Sequence, residues 1–245
     1  MREKPDSLES EQLEPNTHEF FVRTNALVGL QRLCNQFPTR ETREMRAMFS
    51  RILEEERKKG QRLVISLCGA LGSGLYTEGG DIDIGLCLGD MTQGEVEKIL
   101  KEGLLKKYQE IPIDFWGHSI PFRHLEMTAE ILSSETTDSM SRYHRNILTH
   151  FLYVNGLSEV RMGQDISHID NGIREAMANN RISPMIFDVC LMKLKERTPL
   201  YYASFTKYLE RIASNPEFQK KEQRERLKIF QRFANFCQII FRKKI

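Results

Sequence analysis

At 245 residues the chain exceeds one average compact domain without reaching two, so one domain with an appended helical part is expected. Hydrophobic residues make up 40% and charged residues 29%, which excludes a chain too polar to fold. The formal net charge of +2 argues neither for nor against a nucleic-acid partner. No run of about 18 apolar residues is present to cross a bilayer, and MREKPDSLESEQLEPNTHEFF lacks the apolar segment of a secretory signal. The expectation is a cytoplasmic protein without a membrane partner. Cys34, Cys68, Cys87, Cys190 and Cys237 are scattered and form no CxxC pair, so they read as reduced core residues. The histidines show no zinc-ligand spacing.

Residues 1–15 are polar, carry two prolines and lack periodicity, the pattern of a flexible arm. Asn16 or Thr17 can cap a first helix over Glu19 to Phe37, with Phe20, Leu27, Leu30 and Leu33 at helical spacing. A second helix runs from Arg40 to Lys59 and stops at Gly60. RLVISLC then reads as a buried strand, GALGSGLYTEGG as a glycine-rich turn, and IDIGLCL as a second strand. Thr92 and Glu95 form a capping-box signature for a helix through MTQGEVEKILKEGLLKKY, and IPIDFW is a third strand. Beyond Pro121 the pattern is helical, with a break near Gly156 to Gly163 and punctuation at Pro184, Pro199 and Pro216. The expected fold is α+β: a small mixed sheet flanked by helices in residues 16–160, then a helical C-terminal domain in 161–245.

Alternate strand residues share a face, so Asp81 and Asp83 point the same way. Two buried carboxylates repel one another and resist desolvation, an objection that a divalent cation removes. Mg²⁺ or Mn²⁺ takes carboxylate oxygens and is commonly shared with substrate phosphates. Asp114, in the third strand, supplies a third carboxylate if its strand lies beside the second. Gly69, Gly72 and Gly74 allow close approach of backbone amides to a phosphate.

A strand, a G-S-x-x-x-G turn, then D-x-D on a strand and a third aspartate after one helix is the pattern of the polymerase-β-like nucleotidyltransferases. Leu63 to Phe115 resembles that superfamily, with Gly69, Gly74, Asp81, Asp83 and Asp114 at its motif positions. The resemblance implies that Asp81, Asp83 and Asp114 are catalytic and hold the metals, and that Gly69, Ala70, Ser73 and Gly74 contact a nucleoside triphosphate. It also implies a helical-domain cation at the triphosphate, for which Lys193 and Lys195 are the candidates. The chain departs from the pattern where Ala70 replaces the motif serine and Leu71 a commonly basic residue. Ser73 is the expected substitute. Reading the pair as Gly72-Ser73 restores the serine but shortens the spacing to the aspartates, and the first register is preferred.

GALGSG also has the look of a dinucleotide-binding turn, but the long helix which that fold needs next is replaced by TEGGDIDIGL. Glu78 is a candidate base or a loop charge; Tyr76 and Trp116 are candidates to stack a base or to fill the core. The basic tail, including Lys220, Lys243 and Lys244, reads first as the charged side of an amphipathic helix and second as a nucleic-acid contact. The expected activity is metal-dependent transfer of a nucleoside monophosphate, AMP first among them, from a triphosphate to a hydroxyl on a small molecule, protein or RNA. The alternatives are a catalytically silent nucleotide-binding relative and an RNA-directed transferase.

Overall fold

A computed structural model describes residues 14–36, 38–116, 119–158, 160–213 and 221–242. Residues 1–13, Phe37, Pro216, Lys220, Lys243 and Lys244 lie outside that set. The first helix, α1, spans Pro15–Asn35 and so begins before the expected start. Neither Asn16 nor Thr17 caps it; Pro15 opens it instead, because a first-turn residue needs no N–H and proline already has helical φ. Helix α2 spans Arg40–Lys58 and is capped by Thr39, whose hydroxyl accepts from the Thr42 amide at 3.0 Å. Strand β1 (Leu63–Leu67) follows, then one short helix, α3 (Gly69–Ser73), where the sequence suggests only a turn. Strand β2 is Ile82–Gly89, α4 is Gln93–Gly103 with the expected Thr92–Glu95 capping box, and β3 is Ile113–Phe115.

Helices α5 (Phe122–Ser134) and α6 (Arg142–Leu157) lead into a fourth strand, β4 (Val160–Gly163), which the sequence reading missed. Three partly buried residues and an exposed glycine carry too little alternation to mark a strand; pairing with β1 makes it one. The boundary drawn at residues 160 and 161 therefore falls inside β4. Helices α7 (Ser167–Ala178), α8 (Pro184–Ala213) and α9 (Lys221–Arg242) complete the described chain. Pro199 lies inside α8 rather than at an end, at the loss of one backbone hydrogen bond.

The sheet order is β3-β2-β1-β4, with β1 antiparallel to both β2 and β4 and β2 parallel to β3. It is a mixed sheet flanked by helices, and α4 makes the crossover that a parallel pair requires. Met45, Phe49 and Ile52 of α2 cover Leu63, Ile65 and Leu67 on one face. Phe151 and Val154 of α6, with α5, α7 and α8, cover Val64, Leu86 and Leu88 on the other. Helix α1 packs on α6, α8 and α9, joining the start of the described chain to its end. All five cysteines are buried free thiols. Among the described residues no helix is long and apolar enough to cross a membrane.

One irregularity governs which residues face which side. Ser66 pairs with Leu86 but Leu67 pairs with Ile84, so Gly85 is an extra residue in β2. As a result Ile82 and Ile84 face α2, while Leu86 and Leu88 face α6; an unbroken strand would send all four one way. A Cβ on Gly85 would lie 2.4 Å from Cys68 Sγ and 3.0 Å from a Val154 methyl. His150 Nε2 donates to the Gly85 carbonyl at 3.1 Å and holds the bulge from α6. Gly85→Ala is expected to lower stability by about 1–3 kcal/mol through overpacking. A urea midpoint unchanged from that of the wild-type protein would contradict this packing role.

Candidate metal centre

Asp81 stands immediately before β2, Asp83 is the second residue of that strand, and Asp114 is the middle residue of β3. In the parallel register Asp83 lies directly beside Asp114, between Ile82–Ile113 and Ile84–Phe115 pairs that are turned toward α2. The aspartates therefore emerge on the opposite face, and Asp81, two residues before Asp83, joins them. One carboxylate oxygen from each of Asp81, Asp83 and Asp114 lies within 4.8 Å of the others. Asp81 and Asp114 are exposed and Asp83 is half-buried.

Gly69 shows how tightly Asp83 is seated. Its φ is +54°, and a Cβ there would fall 1.8 Å from Asp83 Oδ2, so both backbone conformation and space require glycine. On the other side Trp116 Nε1 donates to Asp83 Oδ1 at 3.1 Å. Burial, followed by the charge of Asp81 and then that of Asp114, pushes the Asp83 carboxyl from an ordinary 3.8 up to about 6, against the opposing pull of Trp116 and Arg197. Arg197, from α8, also stands 5.1 Å over the Trp116 ring.

These groups line a cavity of about 370 Å³ whose floor is the three carboxylates together with Gly69, Ala70 and Ser73. Leu27, Leu30 and Cys34 of α1 and Leu200 and Phe205 of α8 supply apolar walls, and Trp116 and Arg197 complete it. Such a combination of apolar walls and a few convergent polar groups is characteristic of small-molecule sites.

Several residues singled out in the sequence lie elsewhere or do something else. Ser73 faces the cavity, but its hydroxyl donates to the Gly69 carbonyl at 2.9 Å and contacts the Ala70 carbonyl at 3.2 Å. It is tied into α3, so it does not stand in for the missing motif serine. Gly74 is the left-handed residue that ends α3, packed beside Asn35, and is not part of the cavity lining. Lys193 places its ammonium 5.8 Å over the Tyr153 ring and does not line the cavity; Lys195 binds Glu19 at 2.9 Å. Glu78 sits in an exposed turn outside the lining. Tyr76 is fully buried in the α2 side of the core and so fills the core, out of reach of a ligand, whereas Trp116 lines the cavity.

Two contributors escaped the sequence reading. Arg197 follows Lys193 by one helical turn, and only the docking of α8 against α1 and α6 selects it from the run CLMKLKER. Arg46 of α2 donates to the Leu71 and Gly72 carbonyls and, at 2.8 Å, to Asn35 Oδ1. A cation over the last carbonyls of α3 satisfies groups that so short a helix leaves unpaired. Burial holds the Arg46 guanidinium down to about 10.

The donor set suits a hard divalent cation. Three carboxylates converge, and the upward shift of Asp83, caused first by burial and then by the charges of Asp81 and Asp114, is one that a bound dication would relieve. No protein-family model, curated protein or solved structure matches the chain.

The Asp83 shift sets a pH dependence for the metal-free protein. Between the ordinary 3.8 and about 6 the folded state keeps a proton that the unfolded state releases, so stability falls as pH rises through this window and levels off above it. Asp83→Asn removes that loss and still offers Trp116 an acceptor. In EDTA the variant is expected to be more stable than wild type at pH 7, on the order of 1 kcal/mol after solvent screening, and equal to it near pH 3.5. A variant less stable at pH 7 would show that the ionised carboxylate is a net stabiliser.

Proposed function

We propose that the protein is a metal-dependent nucleotidyltransferase, transferring a nucleoside monophosphate, AMP first among them, from a triphosphate to a hydroxyl acceptor. The observation that carries this reading is the convergence of Asp81, Asp83 and Asp114 within 4.8 Å on the floor of a cavity, beside the Gly69 backbone. The order of strand, short glycine-containing helix, strand and parallel strand agrees with the nucleotidyltransferase type of α+β fold suggested by the sequence resemblance.

In this reading Asp81 and Asp83 would hold Mg²⁺ or Mn²⁺, and Asp114 would complete the site of the catalytic ion. The bound metal would supply Lewis acidity at the acceptor oxygen and at the departing pyrophosphate. In this reading the acceptor oxygen bonds to the α-phosphorus, the bond from that phosphorus to the bridging oxygen breaks so that pyrophosphate leaves, and Asp114 takes the acceptor proton. Arg197 lines the same cavity as the carboxylates, where a cation can hold phosphate oxygens; it would take the part expected of Lys193 or Lys195. The apolar walls of α1 and α8 shield the base and exclude water.

Ala70 and the internally bonded Ser73 favour a second reading, a silent relative that binds nucleotide without turnover. Incubation with each α-labelled nucleoside triphosphate, Mg²⁺ and cell extract separates the two. Transfer of label that disappears in Asp83→Asn is the result expected of a transferase, and Arg197→Ala is expected to raise the KM for the triphosphate about ten-fold, as for loss of one charged hydrogen bond. Metal-dependent nucleotide binding with no transfer of label would establish the silent reading; undiminished transfer by Asp83→Asn would sink the assigned mechanism.

A further inference from the structure

The backbone places Trp116 where two parts of the site meet. Its amide N–H donates to the Ile84 carbonyl at 3.0 Å, which continues the β2–β3 ladder one residue past Phe115. Residue 116 therefore projects on the face of Asp114, two positions earlier, and of Asp83, which pairs with Asp114. The indole is half-buried and packs against the helical core on that face, so its ring is held by apolar contacts as well as by the strand.

Two groups of opposite charge use that ring. At its edge the indole N–H donates to Asp83 Oδ1 at 3.1 Å. Over its face the Arg197 guanidinium carbon stands 5.1 Å from the ring centroid, within the range of a cation–π contact. One ring can serve both because its edge is positive and its face negative. Tyr153 of α6 is buried, and its hydroxyl also meets that guanidinium. Arg197 is an exposed residue, and without such seats its long side chain would sample many rotamers that binding an anion must then freeze. Asp83, Trp116 and Arg197 thus form one chain of contacts from a metal-ligand candidate to the cation of α8.

We propose that Trp116 is a positioning residue with two separable roles: its N–H orients Asp83 for the metal, and its ring face seats Arg197 for the triphosphate. The proposal rests on the nucleotidyltransferase reading, which gives the triphosphate to Arg197. A single rigid side chain then sets the spacing between the metal ligands and the cation that holds phosphate oxygens, as preorganised binding of a metal-bound triphosphate requires. The two roles can be removed one at a time. Phenylalanine keeps a ring face for Arg197 and lacks the N–H; glutamine has an amide N–H of similar reach and lacks the ring.

The test uses the full chain and two binding measurements. Free Mn²⁺ is counted by electron paramagnetic resonance, a signal that needs no tryptophan, and inorganic tripolyphosphate is titrated calorimetrically into protein held in excess Mn²⁺. Trp116→Phe is expected to weaken Mn²⁺ binding about ten-fold, as for loss of a hydrogen bond that orients a metal ligand, and to leave tripolyphosphate affinity within about two-fold. Trp116→Gln is expected to do the reverse, with Mn²⁺ affinity within about two-fold and tripolyphosphate affinity lowered about three- to ten-fold. Arg197→Ala should then cost less in the Trp116→Gln protein than in wild type, because the arginine has already lost its seat. Equal loss of both ligands in both variants, no loss in either, strict additivity with Arg197→Ala, or a wild-type protein that binds no tripolyphosphate would each overturn the proposal. Label transfer is decided separately: a protein that shows this split and transfers no label contradicts the transferase reading alone, and one that transfers label without the split contradicts the positioning role alone.

Discussion

Mutual repulsion among Asp81, Asp83 and Asp114 is the constraint around which the site is organised. Left to themselves, three carboxylates would spread into solvent. The parallel register of β2 and β3 sets Asp83 beside Asp114, Gly69 and Trp116 confine the Asp83 carboxylate from either side, and burial, followed by the charges of Asp81 and Asp114, raises the Asp83 pKa. Arg197 offsets part of that negative charge. The strain is carried by rigid elements, as preorganised binding of a cation requires.

The scaffold that imposes this constraint extends well beyond the sheet. The bulge at Gly85 turns Leu86 and Leu88 into the α6 side, which anchors the helices on the same face from which Asp83 projects. Arg46 pins the carbonyl end of α3 while Gly69 at its start approaches Asp83, so the short helix is held at both ends. Helices α1 and α8, far apart in the chain, pack together and wall the cavity above the carboxylates. The site thus depends on contacts between distant segments, and its chemistry on their agreement.

Much of this was legible in the sequence where the signal is local. Continuous apolar runs marked β1 and β2, the Thr92–Glu95 pair marked the start of α4, and the D-x-D spacing with Asp114 marked the acidic cluster. What escaped depended on partners elsewhere in the chain. Strand β4 exists because β1 offers it an edge, and Pro199 stays inside α8 because tertiary packing outweighs one lost hydrogen bond. The choice of Arg197 over Lys193 is a matter of one helical turn, fixed by docking and invisible to composition. Ser73 was a reasonable donor by position, but a hydroxyl one turn after Gly69 and Ala70 bonds the carbonyls of its own helix.

The central claim is that the three aspartates hold a divalent cation. Trp116 is the single tryptophan of the chain, and its indole N–H binds Asp83, so its fluorescence reports on the site directly. Titration of the purified protein with Mn²⁺ at pH 7.5, a pH above the Asp83 titration, should change Trp116 emission saturably. The change should be lost in Asp81→Asn and Asp114→Asn. Emission that does not respond, or that responds equally in both variants, would contradict the assignment of a metal centre to these residues.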